Sequence, residues 1–487
     1  MRSTLFLAAL LAGTAAPAFA QSAPTASAPP DTTAPATPDD PARTGRGERP
    51  AGSAAATPQD TTGAAGPLGR WERDNAIGNA LRDLKQDGIA LTANYVGNFA
   101  ANPVGGVTRG TAESHWVDVG AELDLGTLIG LSDTRLHLQG ADFEGHNLAA
   151  EHIGSSISFQ QTWRPVSGWR LTQFNIDHDF GRLNVLAGRA ALNSYFGASP
   201  LNCVFMSNTA CLTAYGPITA IGITAFPNSS WAAKARWSLS KKVYVQAGVF
   251  DYNNDLNVAG KGGVDFSLFR GTGVLVAAET GYETTFVNDR LPRRFRIGTT
   301  INTDAGTSPL YDRNGNPAGL SGLARARQPG TRVGIYALAD QTVWRAEGEA
   351  HRNIALFGRA FYNAGAPTTI DWFASAGLVT TGTFPGRDND TFGFLISNTH
   401  FAANEVEYLR ELRANAGGAG RPNANEIIGE INYGFAAAPG VRLLPNIQYE
   451  IHPDPINATS YPRDIPAAVV VGLRVDFRLA QLFSGAD

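Results

Sequence analysis

The chain has 487 residues, 17% of them charged, with a formal net charge of −4 and a mean hydropathy of −0.14. So balanced a charge excludes the basic surface that a nucleic-acid partner requires. Beyond the first twenty residues no apolar run approaches the roughly 20 residues of a membrane-spanning helix, because charged, polar or glycine residues interrupt each one. The average says nothing against a β-barrel, whose strands meet lipid only at every second residue.

Residues 1–20 read as a secretory signal peptide: Arg2 is the positive start, Leu5 to Leu11 the apolar core, and Ala18-Phe19-Ala20 the cleavage signal. Residues 21–66 are mostly Ala, Pro, Thr, Ser, Gly and Asp without an aromatic, a composition that buries too little apolar area to order itself, so a disordered tether is expected. A short amphipathic helix is predicted within 67–88. Asp74 can cap it, Ile77, Leu81 and Leu84 share one face, and Gly88 stands where it should stop.

From Ile89 the pattern changes to period two, and 89–487 read as one β-barrel. In Val117 to Leu125, Asp118, Glu122 and Asp124 oppose Val, Val, Ala, Leu and Leu. Lys234 and Arg236 oppose Trp, Ala, Ala, Trp and Leu in Trp231 to Leu239, and Phe295 to Asn302 alternates likewise. In Glu426 to Phe435 one face is Ile427, Gly429, Ile431, Tyr433 and Phe435, against Glu426, Ile428, Glu430, Asn432 and Gly434. Val441 to Ile451 sets Val441, Leu443, Pro445, Ile447, Tyr449 and Ile451 against Arg442, Leu444, Asn446, Gln448 and Glu450. Val469 to Leu479 sets Val, Val, Leu, Val, Phe and Leu against Val470, Gly472, Arg474, Asp476 and Arg478.

Segments of about ten residues suit tilted membrane strands. Trp231, Trp237, Tyr433, Phe435 and Phe477 lie near segment ends, where interfacial girdles place aromatics. A short turn at Ala436 to Gly440 contrasts with the long polar stretches Asp251 to Phe266, Asp304 to Gly330 and Phe401 to Asn425. The fold class is therefore all-β, a transmembrane antiparallel barrel. Its rival is a soluble β-sandwich or solenoid, but no solenoid repeat is present.

The two cysteines, Cys203 and Cys211, stand eight apart in a loop-like region of a chain bound for an oxidising compartment. A local disulfide fits that compartment. Two buried thiols or half a metal site are the alternatives, and no Cys or His at zinc spacing supports the latter.

Several blocks resemble the carbohydrate-selective porin (OprB) family. They are Leu186 to Phe196, Gln246 to Asp251, Gly334 to Arg345, Ala376 to Val379 and Phe384 to Asp390. They occur in family order within a span from about Leu84 to Phe483. The resemblance implies sixteen strands, inward-folded loops, and passive uptake of small carbohydrates such as glucose across the outer-membrane lipid, without a cofactor. Where the family carries an acidic Asp-Ser-Glu stretch, this chain has Asn193-Ser194-Tyr195. The chain also runs past Phe477 and Phe483 to Ser-Gly-Ala-Asp, so the closing strand is expected to end at Leu479 or Phe483.

Strand parity assigns Lys234, Arg236, Glu430, Asn432, Arg442, Gln448, Glu450, Arg474, Asp476 and Arg478 to the lumen. Arg189 and Arg345 join them as members of the family-like blocks, with a structural ion pair at a rim as the alternative for both. A barrel enzyme would need a nucleophile with its base. The eight histidines stand in no hydrolase or zincin motif, and Asp177-His178-Asp179 comes nearest. A general or anion-preferring porin is the closer rival, since arginine is in excess among the lumen set. No interface signal separates a monomer from a homotrimer.

Overall fold

In the computed structural model the described residues are 75–484 without 166, 212–216, 254–265, 267–271 and 348–351. The expected signal peptide, the tether and Asp74 lie outside them. The helix runs Ala76–Gln86, and its cap is Asn75, whose side chain accepts from the Gly78 amide at 2.6 Å. Asn75 also donates to the Phe483 carbonyl at 2.7 Å, which ties the helix to the C-terminal helix Leu479–Ser484.

The strands are β1 (Ile89–Val104), β2 (Thr111–Asp124), β3 (Thr134–Gly145), β4 (Arg170–Phe180), β5 (Leu183–Ala190), β6 (Ser230–Ser238), β7 (Val243–Tyr252), β8 (Gly273–Glu283) and β9 (Arg293–Asn302). After the short pair β10 (Gly306–Asp312) and β11 (Arg325–Gln328) come β12 (Arg332–Arg345), β13 (Asn353–Asn363), β14 (Ile370–Thr381), β15 (Thr391–Phe401), β16 (Asn425–Ala438), β17 (Val441–Ile451) and β18 (Ala468–Arg478). Sixteen of them form a closed antiparallel barrel in which each strand pairs with its neighbour in sequence, β9 with β12 past the small β10–β11 sheet. Closure is made by β1 on β18, with Phe99 opposite Leu473 and Asn98 opposite Arg474. The closing strand ends at Arg478, one residue short of the expected Leu479, because the chain there turns into the C-terminal helix.

The first and last described elements, Ala76–Gln86 and Leu479–Ser484, lie at the end of the barrel with tight turns, such as 181–182, 239–242 and 439–440. In the last of these, Gly440 takes φ +71°, and a Cβ there would strike the Arg478 carbonyl, so glycine is needed. The other end carries the long connections 146–169, 191–229, 303–331, 402–424 and 452–467. Two of the expected long loops have structure of their own: β10 and β11 within Asp304 to Gly330, and a helix Ala403–Asn415 within Phe401 to Asn425.

Polarity is inverted relative to a soluble fold. Ile431, Ile447, Val471 and Ile297 are 52%, 57%, 45% and 55% exposed, while Glu430, Gln448 and Lys234 are at most 2% exposed. Ile297, Ile431 and Ile447 each lie next in sequence to a buried polar residue, Arg296, Glu430 and Gln448, the signature of a lipid-facing wall around a polar interior. Trp237 and Phe180 project outward at the turn end, and Tyr362 does so at the loop end.

Two outcomes follow from this arrangement. Leu473→Arg, on the outer face of the closing strand, should lower folding stability in phospholipid bilayers by about 2–4 kcal/mol, read by denaturant titration of bilayer-inserted protein. The second concerns the loop end, where Arg325 on β11 pairs with Glu405 of the helix Ala403–Asn415. Burial pushes the Glu405 carboxyl from an ordinary 4.5 up to about 7, with Arg325 pulling the other way and Asp454 adding to the push. A raised carboxylate stabilises docking fully below 4.5 and loses that contribution as pH rises through about 7. Protection factors of the amides within 403–415, which divide out the intrinsic pH dependence of exchange, should therefore be higher at pH 5 than at pH 8, and equal protection would refute the assignment.

Candidate functional site

Inward parity brings Lys234, Arg236, Glu430, Asn432, Arg442, Gln448, Glu450, Arg474 and Asp476 onto the inner wall, all buried. Arg478 shares their parity but is half-buried at the turn end, where Nη1 reaches Gln481 Oε1 at 3.4 Å. Arg345, in register with Asn353 at the foot of β12, stands over the Phe286 ring with its guanidinium 4.6 Å from the centroid, so it belongs to the turn-end rim. Arg189 departs from the lumen set. It pairs with Phe174 and Trp231, both outward-facing, whereas Leu186 opposite Lys234 faces inward. Three residues separate Leu186 from Arg189, and an odd step in a strand changes face. Arg189 is nevertheless buried, with Nη2 donating to the Ser229 carbonyl at the loop-end rim.

Most of the inner charges hold protein rather than open water. The connection 191–229 folds into the barrel, and its backbone is clamped around the wall. Glu430 accepts from the Met206 and Ser207 amides at 2.9 and 2.7 Å. Asn432 Nδ2 donates to the Val204 carbonyl at 3.0 Å, and Arg474 Nη1 donates to the Cys203 and Phe205 carbonyls at 3.1 and 3.2 Å. Gln448 holds the second inward loop, 146–169, through the Phe159 carbonyl at 3.1 Å. Arg442 binds Thr391 Oγ1 and the Asn389 carbonyl, both at 3.1 Å. Glu450 lies fully buried among Ser155, Glu426 and Asp454. Cys203 and Cys211 are joined by a disulfide within the inward loop.

Strand parity also reaches clamps absent from the sequence-derived set. Glu279 on β8 accepts from the Gly197 amide at 2.9 Å and from the Tyr244 and Tyr336 hydroxyls at 2.7 and 3.0 Å. Asp340 on β12 receives Ser199 Oγ at 2.7 Å, and Arg359 on β13 donates to the Thr209 carbonyl at 2.6 Å. Each occupies the inward register of its strand, so alternation carried to β8, β12 and β13 would have placed it. That its partner is a loop, and not a solute, has no signal in the sequence.

The wall from β2 to β6 carries few of these clamps. Its inner face is a balanced polar ladder: Arg135 bridges Asp177 and Asp179 at 2.6 and 2.9 Å, and His137 Nε2 meets Asp177 at 2.5 Å. His178 points to the opposite face, bonding Thr134 Oγ1 at 2.7 Å, so alternation splits the Asp177-His178-Asp179 run between lumen and exterior. On the same wall, Lys234 Nζ stands 5.2 Å from the centre of the Tyr195 ring and 3.3 Å from Asn184 Oδ1, whose amide nitrogen donates to Asp177 and Asp179. A void of about 10 Å³, room for one water, lies at Gln139, Gln173, Ser194 and Tyr195. It shares Phe226 with a cavity of about 520 Å³ at the loop end, walled by Trp163, Phe226, Tyr252, Asn193, Asn228 and several arginines.

If Glu430 anchors the constricting loop, Glu430→Ala should loosen it. Two amide bonds to a carboxylate contribute on the order of 1.5–3 kcal/mol each. Single-channel conductance and open-channel noise should both rise, and an unchanged trace would reassign Glu430 to the wall alone.

The family model for carbohydrate-selective porins, OprB family, matches residues 108–479. The chain is 25% identical over 426 residues to Porin B of Pseudomonas aeruginosa, a match spanning 84% of this chain and 90% of the relative. It is 22% identical over 433 residues to the putative porin QuiX of Acinetobacter baylyi, spanning 83% and 91%. The high-pH structure of Pseudomonas putida OprB superposes with a TM-score of 0.74 at 25% identity, covering 83% of this chain and 97% of that one.

Proposed function

Because the chain belongs to the OprB family of carbohydrate-selective porins, barrels of the Gram-negative outer membrane, we propose that it conducts small neutral sugars such as glucose passively into the periplasm. The observation that carries this reading is a polar lumen narrowed from within by a clamped loop, beneath a loop-end cavity of about 520 Å³. That volume falls within the roughly 300–1,000 Å³ of small-molecule sites. The cavity wall combines what a sugar needs: Trp163, Phe226 and Tyr252 offer apolar faces, and Asn193, Asn228 and arginine side chains offer hydrogen bonds.

Passage requires a sugar to exchange part of its hydration for these donors and acceptors, and then to leave. The binding must therefore be weak. The lower ladder suits this, because its charges already satisfy one another and offer only their remaining hydrogen-bonding capacity. Arg236 pairs with Glu283 and lies 3.5 Å from the centre of the Tyr244 ring, so its charge is already engaged.

Proteoliposomes containing the purified protein should swell faster in glucose than in a disaccharide. Glucose should also reduce single-channel ion current with half-block near the millimolar range, about −4 kcal/mol of binding. Equal swelling in glucose and in a non-sugar solute of the same size would leave a general diffusion pore in place of a carbohydrate-selective one.

A further inference from the structure

The two halves of the lumen differ in charge balance. At the turn end most of the inner cations have an acid: Arg135 with Asp177, Arg236 and Arg296 with Glu283, and Arg474 with Asp476, while Lys234 rests on the Tyr195 ring and Asn184 and Arg442 on Thr391 and the Asn389 carbonyl. In the loop-end cavity, the described lining residues include four arginines, Arg164, Arg170, Arg327 and Arg332, and one carboxylate, Asp304. Asp304 serves two of them, Arg327 at 2.8 Å and Arg332 at 3.8 Å.

Arg164 is held differently. Its guanidinium donates to the carbonyls of Phe226, Gln161 and Trp163 at 3.2, 2.8 and 2.7 Å. It lies 5.9 Å from the Trp116 ring centre and 5.8 Å from that of Phe143. Among the described residues no carboxylate forms an ion pair with it. Burial pushes this guanidinium down to about 10, the mark of a cation held without a counter-charge. Such a cation is stabilised by an anion that enters beside it. Arg170 stands on the same cavity wall, its Nη1 donating to Asn228 Oδ1 at 3.0 Å.

Resting on the reading of this chain as a sugar pore, we propose that the loop-end cavity is a binding station for carboxylated sugars. Arg164 and Arg170 take the carboxylate, and the amides of Asn193 and Asn228 take hydroxyls. The balanced ladder beyond the cavity then offers no matching cationic trap, so the solute is concentrated at entry and released downward.

The test is ion-current block in planar bilayers with the full protein, with gluconate or glucose added to the loop-end side. Gluconate should block at about tenfold lower concentration than glucose, as an added charge-assisted pair implies. Arg164→Gln should shrink the gluconate-to-glucose ratio about fivefold. Asp304→Asn, which removes the cavity's acid, should enlarge it, a gain that a misfolded channel cannot give. Equal block by the two solutes, or a ratio unmoved in both variants, overturns the anion station and leaves the sugar pore standing. Absence of glucose-driven swelling sinks the sugar pore itself.

Discussion

Closure of the sheet through β1 on β18 is the constraint from which the rest descends. In hydrocarbon an unpaired backbone amide costs several kcal/mol, so a membrane sheet survives only without edges. Once closed, it has one face in lipid and one in water, and each strand residue must belong to one or the other. The exposed Leu473 beside the buried Arg474 is this rule at the seam.

A sixteen-stranded cylinder encloses more space than its own side chains can fill. Here the space is filled by loop backbone, which brings its own unpaired amides and carbonyls inside. The wall answers group by group: acids meet amides, as Glu430 and Glu279 do, and arginines meet carbonyls, as Arg474 and Arg359 do. Many lumen charges are therefore structural in a precise sense, since they replace the water that an inserted loop would otherwise need. The part of the lumen left for solute, on the proposed reading, lies along β2 to β6 and in the cavity above it.

Family membership and this geometry bear on different questions. The match over residues 108–479 accounts for the barrel, its membrane and its class of cargo. Which residues would meet the cargo is a matter of the lumen's own geometry. Asn193 and Tyr195, standing where the family carries acids, place an amide on the cavity wall and an aromatic ring beneath Lys234.

Read alone, the sequence determined the fold class, the facing of nearly every residue in the parsed strands, and a long-loop end opposite a short-turn end. All three follow from period two and turn composition, which are local properties of the chain. Arg189 escaped because a family-like block, rather than parity, assigned it to the lumen; its register with Phe174 and Trp231 sets it on the outer face. The short helix was legible, although its cap is Asn75. What only the tertiary structure decided is which inward charges remain free for a solute. Glu430 and Lys234 look alike as lumen residues, yet one is spent on the Met206 and Ser207 amides 223 or more residues away in sequence. No local pattern encodes such a pairing, because it depends on where a long loop comes to rest inside a closed wall.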